Sequence, residues 1–152
     1  QTILFDQLEL GTYIVEELPI AGYTNANAFA VILTEGEFQH YVGVLENSKI
    51  ETGTIGVFKS MAEDSSQVFQ IYIYNIDTDE QIYGAISIEV PYIFQNVPYG
   101  TYRVFELLPE PMSNWMMPSF TPYDGEDPTS GLVTVSAEFP NQIVTVYNSL
   151  NT

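Results

Sequence analysis

Phe94-Gln-Asn-Val-Pro-Tyr-Gly-Thr-Tyr102 repeats, position for position, the pattern of Phe5-Asp-Gln-Leu-Glu-Leu-Gly-Thr-Tyr13. The shared order is Phe, two residues, Leu or Val, one residue, Leu or Tyr, then Gly-Thr-Tyr. Self-similarity inside one chain marks modules set in tandem. Each copy runs on into a segment that carries a glutamate and meets a proline-containing turn. Each later ends in Asn-Ser, at Asn47-Ser48 and Asn148-Ser149. In the second copy Tyr102, Val104 and Glu106 alternate with their neighbours, and residues two apart share one face of a strand. The repeat therefore predicts β-structure.

The same period of two recurs along the chain, whereas three-and-four spacing is scarce. It predicts strands over 12–17, 28–33, 41–46, 53–61, 68–76, 85–90, 100–107, 131–137 and 142–148. Turn-rich segments lie between them, among them 75–81, 110–113 and 122–130. Short strands so punctuated imply an all-β chain of tandem β-sandwich modules. The expected boundary is a short linker at 48–53, giving a first module over 1–50 and a second over 51–152. The copies are unequal. The second has a long stretch, 54–93, upstream of its repeat motif, and the first has only residues 1–4. The first module is thus expected to lack its opening strands. A longer chain would supply them, or a neighbouring copy would, by strand addition.

Composition narrows the function. The net charge is −17, and Lys49, Lys59 and Arg103 are the only cations besides the single His40. So acidic a surface repels nucleic acid and anionic lipid, and neither is an expected partner. Cysteine is absent, which removes disulfides and thiolate metal sites. No run is long and apolar enough to span a bilayer, and no leader segment is recognisable. No phosphate loop, metal cluster or nucleophile–base pair is evident, so neither a cofactor nor an external substrate is expected.

Three rows carry the chemistry. Ile55, Val57 and Lys59 share a face, as do Tyr102, Val104 and Glu106, and Val144, Val146 and Asn148. Each row is apolar until its last member. If the rows face the core, a lysine, a glutamate and an asparagine point inward together, and buried charges are costly unless paired. These three can react. A lysine amine can attack the asparagine carboxamide and expel ammonia, leaving an amide. Burial lowers the lysine pKa and raises that of the glutamate, giving a neutral nucleophile and a carboxylic acid able to relay protons.

In these features the second module resembles the Cna protein B-type domain, also called SpaA-like, of Gram-positive surface adhesins and pilins. The carrying residues are Gly53-Thr-Ile-Gly-Val-Phe-Lys59, the run Gly100-Thr-Tyr-Arg-Val-Phe-Glu106 after Phe94, and Val144-Thr-Val-Tyr-Asn-Ser149. The resemblance implies an isopeptide bond from Lys59 to Asn148 with Glu106 as catalyst. It implies an extracellular stalk or shaft module whose partners are neighbouring modules or copies of itself. Gly11-Thr-Tyr-Ile-Val-Glu-Glu-Leu-Pro-Ile-Ala-Gly-Tyr23 is similar to the later part of the same pattern. By spacing from the repeated tyrosine, Glu17 corresponds to Glu106, and Asn47 to Asn148. No lysine lies in residues 1–48, and Lys49, on the linker, is poorly placed to serve.

Other constellations are weaker. Asp77-Thr-Asp-Glu80 and Asp124-Gly-Glu-Asp127 lack the full spacing of a calcium loop and read as solvated turns. His40 has no evident metal partners. Trp115, Met116, Met117 and Phe120 form an apolar cluster in a proline-rich insertion. It reads as a flap over the sandwich edge or, in the rival reading of a binding module, as a contact face in which Trp115 and Phe120 meet a host protein, a glycan or another subunit.

Overall fold

The computed structural model describes residues 2–36, 43–63 and 66–151. The chain divides into two compact units, Gln1–Ile50 and Glu51–Thr152.

In the first unit β1 (Gly11–Val15) and β2 (Phe29–Leu33) form an antiparallel pair, with Gly11 opposite Leu33 and Tyr13 opposite Val31. No strand is assigned over 43–46, the described part of the segment expected at 41–46. His40 and Tyr41 lie outside the described residues.

The second unit is a β-sandwich. Its strands are β3 (Thr52–Met61), β4 (Phe69–Asn75), β5 (Gln81–Ile86), β6 (Tyr92–Pro98), β7 (Gly100–Leu107), β8 (Ser119–Thr121), β9 (Gly131–Val135) and β10 (Asn141–Asn148). One sheet has the order β6-β3-β10-β8 and the other β5-β4-β7-β9. The first and last strands of the unit lie side by side and parallel, from Asn141 opposite Thr54 to Asn148 opposite Met61. A parallel pair cannot be closed by a hairpin, so the whole unit lies between its two partners. At the start of this ladder Thr54 N–H donates to the Pro140 carbonyl at 2.9 Å. Only glycine fits beside that contact, because a Cβ on Gly53 would lie 1.8 Å from the Pro140 oxygen.

The inner faces follow the alternation. Ile55, Val57, Tyr102, Val104, Val144 and Val146 are buried, and they join Phe69, Ile71, Ile73, Ile86, Phe94, Val97, Phe120, Val133 and Val135 in one core. The predicted strand at 85–90 is corrected to Gln81–Ile86. The residues after it turn back, with Ser87 and Val90 exchanging hydrogen bonds at 3.1 and 3.2 Å. Two strands escape the sequence reading. β6 starts just after Pro91 and contains Asn96 at φ 52, so its alternation is broken. β8 has three residues, too few to show a period.

The repeat corresponds to one local structure built twice. β7 pairs with β9 as β1 pairs with β2, with Gly100 opposite Val135 and Tyr102 opposite Val133. In each copy the Gly-Thr-Tyr tyrosine hydroxyl donates to the carbonyl four residues earlier. Tyr13 bonds Glu9 and Tyr102 bonds Pro98, both at 2.7 Å. This is the bond of a tyrosine corner, which fixes how the chain enters a strand.

Candidate functional site

Lys59 and Asn148 come from the adjacent strands β3 and β10. Lys59 stands opposite Val146, so Asn148 is two residues farther along the same inner face. Glu106 reaches them from β7, in the other sheet. The structure brings all three side chains together at one end of the core. Lys59 Nζ donates to Glu106 Oε2 and to Asn148 Oδ1. Asn148 Nδ2 donates to Glu106 Oε1 at 2.6 Å. One carboxyl group therefore spans the amine and the carboxamide nitrogen. The side chains of Lys59 and Glu106 have no solvent exposure, and Asn148 has none either.

Burial sets the electrostatics. Loss of water pushes the Lys59 amine down to about 8, although the charge of Glu106 and its hydrogen bond pull it back up. Burial pushes the Glu106 carboxyl up, opposed by the Lys59 charge and by hydrogen bonds from Lys59 and Asn148. Both shifts favour the uncharged forms. A change from 10.5 to about 8 raises the neutral fraction of a lysine about 300-fold at pH 7. The centre of the Phe69 ring lies 3.3 Å from Lys59 Nζ, so on that side an aromatic wall and not water faces the amine.

Trp115 completes that wall. Its ring meets Phe69 edge to face, 4.9 Å between centroids at 77°. Phe120, on β8, is buried in the core. Met112, Met116 and Met117 are the exposed apolar residues of this segment. The segment also grips the chain just past Asn148. Met116 N–H donates to the Ser149 carbonyl at 3.0 Å, Asn151 N–H to the Asn114 carbonyl at 2.8 Å, and Trp115 bridges Leu150.

The first unit holds a smaller version. Glu17 Oε2 accepts from Asn47 Nδ2 at 2.6 Å, and Asn47 Nδ2 also reaches the Thr24 carbonyl at 2.7 Å. Asn47 is exposed and Glu17 partly so. Lys49 is not at this pair but bridges Tyr23 through its backbone.

One feature of the site is hidden in the sequence. The turn Met112–Trp115–Met116 is the counterpart of Ile20–Tyr23–Thr24. Trp115 N–H donates to the Met112 carbonyl at 3.1 Å, and Tyr23 N–H to the Ile20 carbonyl at 3.2 Å. Thr24 N–H donates to Ser48 and Ile50 N–H to Gly22, each at 2.8 Å, as Met116 and Asn151 do to Ser149 and Asn114. Trp115 thus stands where Tyr23 stands, in a turn latched to the residues after the asparagine. No sequence signal announces the match, because Tyr23 and Trp115 lie at different distances from their Asn-Ser partners and the letters around them differ.

The acidic loops are self-contained. Asp124 accepts from the Glu126 and Asp127 amides at 2.9 Å and from Arg103 at 3.1 Å, which holds its carboxyl down at about 2. Among the described residues, no group of three or more His, Asp or Glu is placed to hold a metal ion. Among them too, no helix is long and apolar enough to cross a membrane.

No protein-family model matches the chain. No curated protein matches it either. Its fold is similar to that of a bacterial adhesin from Mobiluncus mulieris containing intramolecular disulfide, isopeptide and ester bond cross-links. In the P1 crystal form of that adhesin the TM-score is 0.54 at 12% identity, over 71% of this chain and 44% of the adhesin chain. In the P21 form it is 0.54 at 10% identity, over 97% and 62%. The chain spans less than two thirds of the adhesin chain in both.

Proposed function

We propose that the second unit is a self-cross-linking shaft module of the Cna B type in an extracellular adhesin or pilus-like filament. The observation that carries this reading is the Glu106 carboxyl group, buried between the Lys59 amine and the Asn148 carboxamide and bonded to both. The neutral amine attacks Asn148 Cγ. Glu106 takes a proton from the attacking nitrogen through Oε2 and delivers one to the departing nitrogen through Oε1. The C–Nδ2 bond breaks, ammonia leaves, and a Lys59–Asn148 amide remains. Contact within one folded chain replaces a bimolecular encounter, an advantage that reaches many orders of magnitude when geometry is good. Because the product is part of the chain, this is a single turnover and not enzymatic activity on a substrate.

The mechanical consequence follows from topology. The amide would join β3 to β10, the two ends of the unit. Tension between those ends would then load a covalent bond and not a ladder of hydrogen bonds, and the unit gains kinetic stability. A fold shared with an adhesin that contains isopeptide cross-links supports the reading. The partners that fit it are neighbouring modules or further copies of the chain. In the first unit Glu17 and Asn47 would form half of the same machinery, lacking an amine.

Intact-mass measurement is the test. The protein should weigh one ammonia less than its sequence, and peptide mapping should place the loss on a branched Lys59–Asn148 peptide. A full sequence mass would remove the cross-link and leave the sandwich standing.

A further inference from the structure

We infer that Trp115 is a positioning residue for the cross-linking reaction, and that the turn carrying it is a latch that holds Asn148 in the site. The inference rests on the proposed Lys59–Asn148 bond and adds to it what sets the rate.

Asn148 is the last residue of β10, and a strand end frays unless something beyond it is held. The latch supplies the hold. Its backbone bonds run to Ser149 and Asn151, on both sides of the Trp115–Leu150 bridge, and Asn151 Nδ2 adds a bond to the Ser113 carbonyl at 3.1 Å. The Ala62 N–H donates to the Asn148 carbonyl at 3.2 Å from the other flank. With its backbone so fixed, the carboxamide can face Lys59 and Glu106 at once. The same set of latch bonds beside Asn47 accompanies the same amide–carboxylate contact to Glu17. Among the described residues no lysine amine reaches that pair and no core covers it, so the latch, not a lysine, accounts for the placement.

Trp115 adds a second effect. Its ring backs Phe69, and Phe69 lies against the Lys59 amine. Removing the indole opens a path for water to that wall. Water favours the ammonium–carboxylate pair over the neutral amine and acid, and only the neutral pair reacts. Since Lys59 and Glu106 exchange one proton internally, this loss lowers the rate across the pH range and does not displace its optimum. The other ionisable groups along the latch, Glu63 and Glu110, each accept a backbone N–H, from Leu150 at 3.4 Å and from Met112 at 3.3 Å.

The test uses the full chain, expressed in insoluble form, isolated in denaturant and diluted to fold. Folding is followed by far-ultraviolet circular dichroism and ammonia loss by intact mass. Trp115→Ala should fold yet lose ammonia at least about ten-fold more slowly than the parent at every pH between about 6 and 9. Trp115→Tyr, which installs the aromatic found in the first unit, should restore the rate to within about three-fold. Equal rates for Trp115→Ala and the parent overturn the inference, as does a rate that Trp115→Tyr fails to restore. If Trp115→Ala does not fold, Asn151→Ala takes its place. It keeps the indole, removes one latch bond and should slow the reaction about three-fold, and an unchanged rate there is equally fatal. A parent chain that folds and never loses ammonia refutes the cross-link itself, a result distinct from any of these.

Discussion

Glu106 meets Asn148 at 2.6 Å and Glu17 meets Asn47 at 2.6 Å, yet the two pairs sit in opposite surroundings. The first lies at the end of a closed two-sheet core. The second lies beside a two-stranded sheet in which Val31 is the one buried hydrophobic residue among the described residues. The contact is therefore local. A strand entered through a tyrosine corner, its antiparallel partner and the latch turn suffice to bring glutamate and asparagine together. The proposed reactivity is not local. It needs a lysine from β3 and a core thick enough to strip water from both charges, and both depend on strands far away in sequence. A pair of two strands is marginal by itself in water, so the first unit has the geometry of the chemistry without its electrostatics.

Replacing the glutamate in each unit should break this parallel most sharply. Glu106→Gln removes the proton relay and leaves Lys59 buried without its counter-ion. The residues that the proposed bond would join are 89 positions apart, and closing a loop of that size stabilises by about 4–5 kcal/mol in the chain-entropy model. Calorimetry should show the second unit's melting temperature falling by on the order of 20 °C or more, with the ammonia loss abolished. Glu17→Gln should change neither. A mass or melting effect of comparable size at Glu17 would mean that the two sites are not a full and a half version of one device.

The rows ending in Lys59, Glu106 and Asn148 were legible in the sequence because strand alternation is strict and each row breaks it at one residue. Their convergence needed the parallel pairing of first and last strands, which no local pattern encodes. β6 and β8 were not legible, since flanking prolines, a left-handed Asn96 and a three-residue length erase the period. The latch escaped for a different reason. It is made of backbone hydrogen bonds, so Gly22-Tyr23-Thr24 and Asn114-Trp115-Met116 can build it with scarcely a letter in common. The proline-rich segment around Trp115, which looks like an insertion, contains part of the repeated structure.

A second way to separate the units is through pH. In Asn148→Ala the electrophile is gone, and Lys59 keeps its amine. A lysine held at about 8 when folded and 10.5 when unfolded binds fewer protons in the folded state between those values. Stability then rises with pH across that window, by on the order of 2–3 kcal/mol at most. Glu106 acts with the opposite slope at acid pH. Its raised folded pKa means that stability falls as pH climbs from 4.5 through the folded value. Urea denaturation of Asn148→Ala should therefore show a rise between about pH 8 and pH 10 that the parent lacks, because an amide does not titrate there. A parent protein with the same rise would still hold a free Lys59 amine.

The smallest difference concerns the shared tyrosine corner. Tyr13 and Tyr102 make the same bond at the same 2.7 Å, and they differ in what covers it. Tyr102 is 2% exposed, so Tyr102→Phe strands the Pro98 carbonyl in a place water reaches poorly, and the loss should be about 1 kcal/mol. The Tyr13 bond is exposed to solvent, so after Tyr13→Phe water can take the place of the hydroxyl and only a few tenths of a kcal/mol should be lost. Hydrogen exchange of the β1–β2 and β7–β9 amides reads the two strand pairs separately. Equal losses would show that the corner acts through geometry alone. A larger loss at Tyr102 would show that a bond of one length draws its strength from the core around it, which is also what separates the Glu106 site from the Glu17 site.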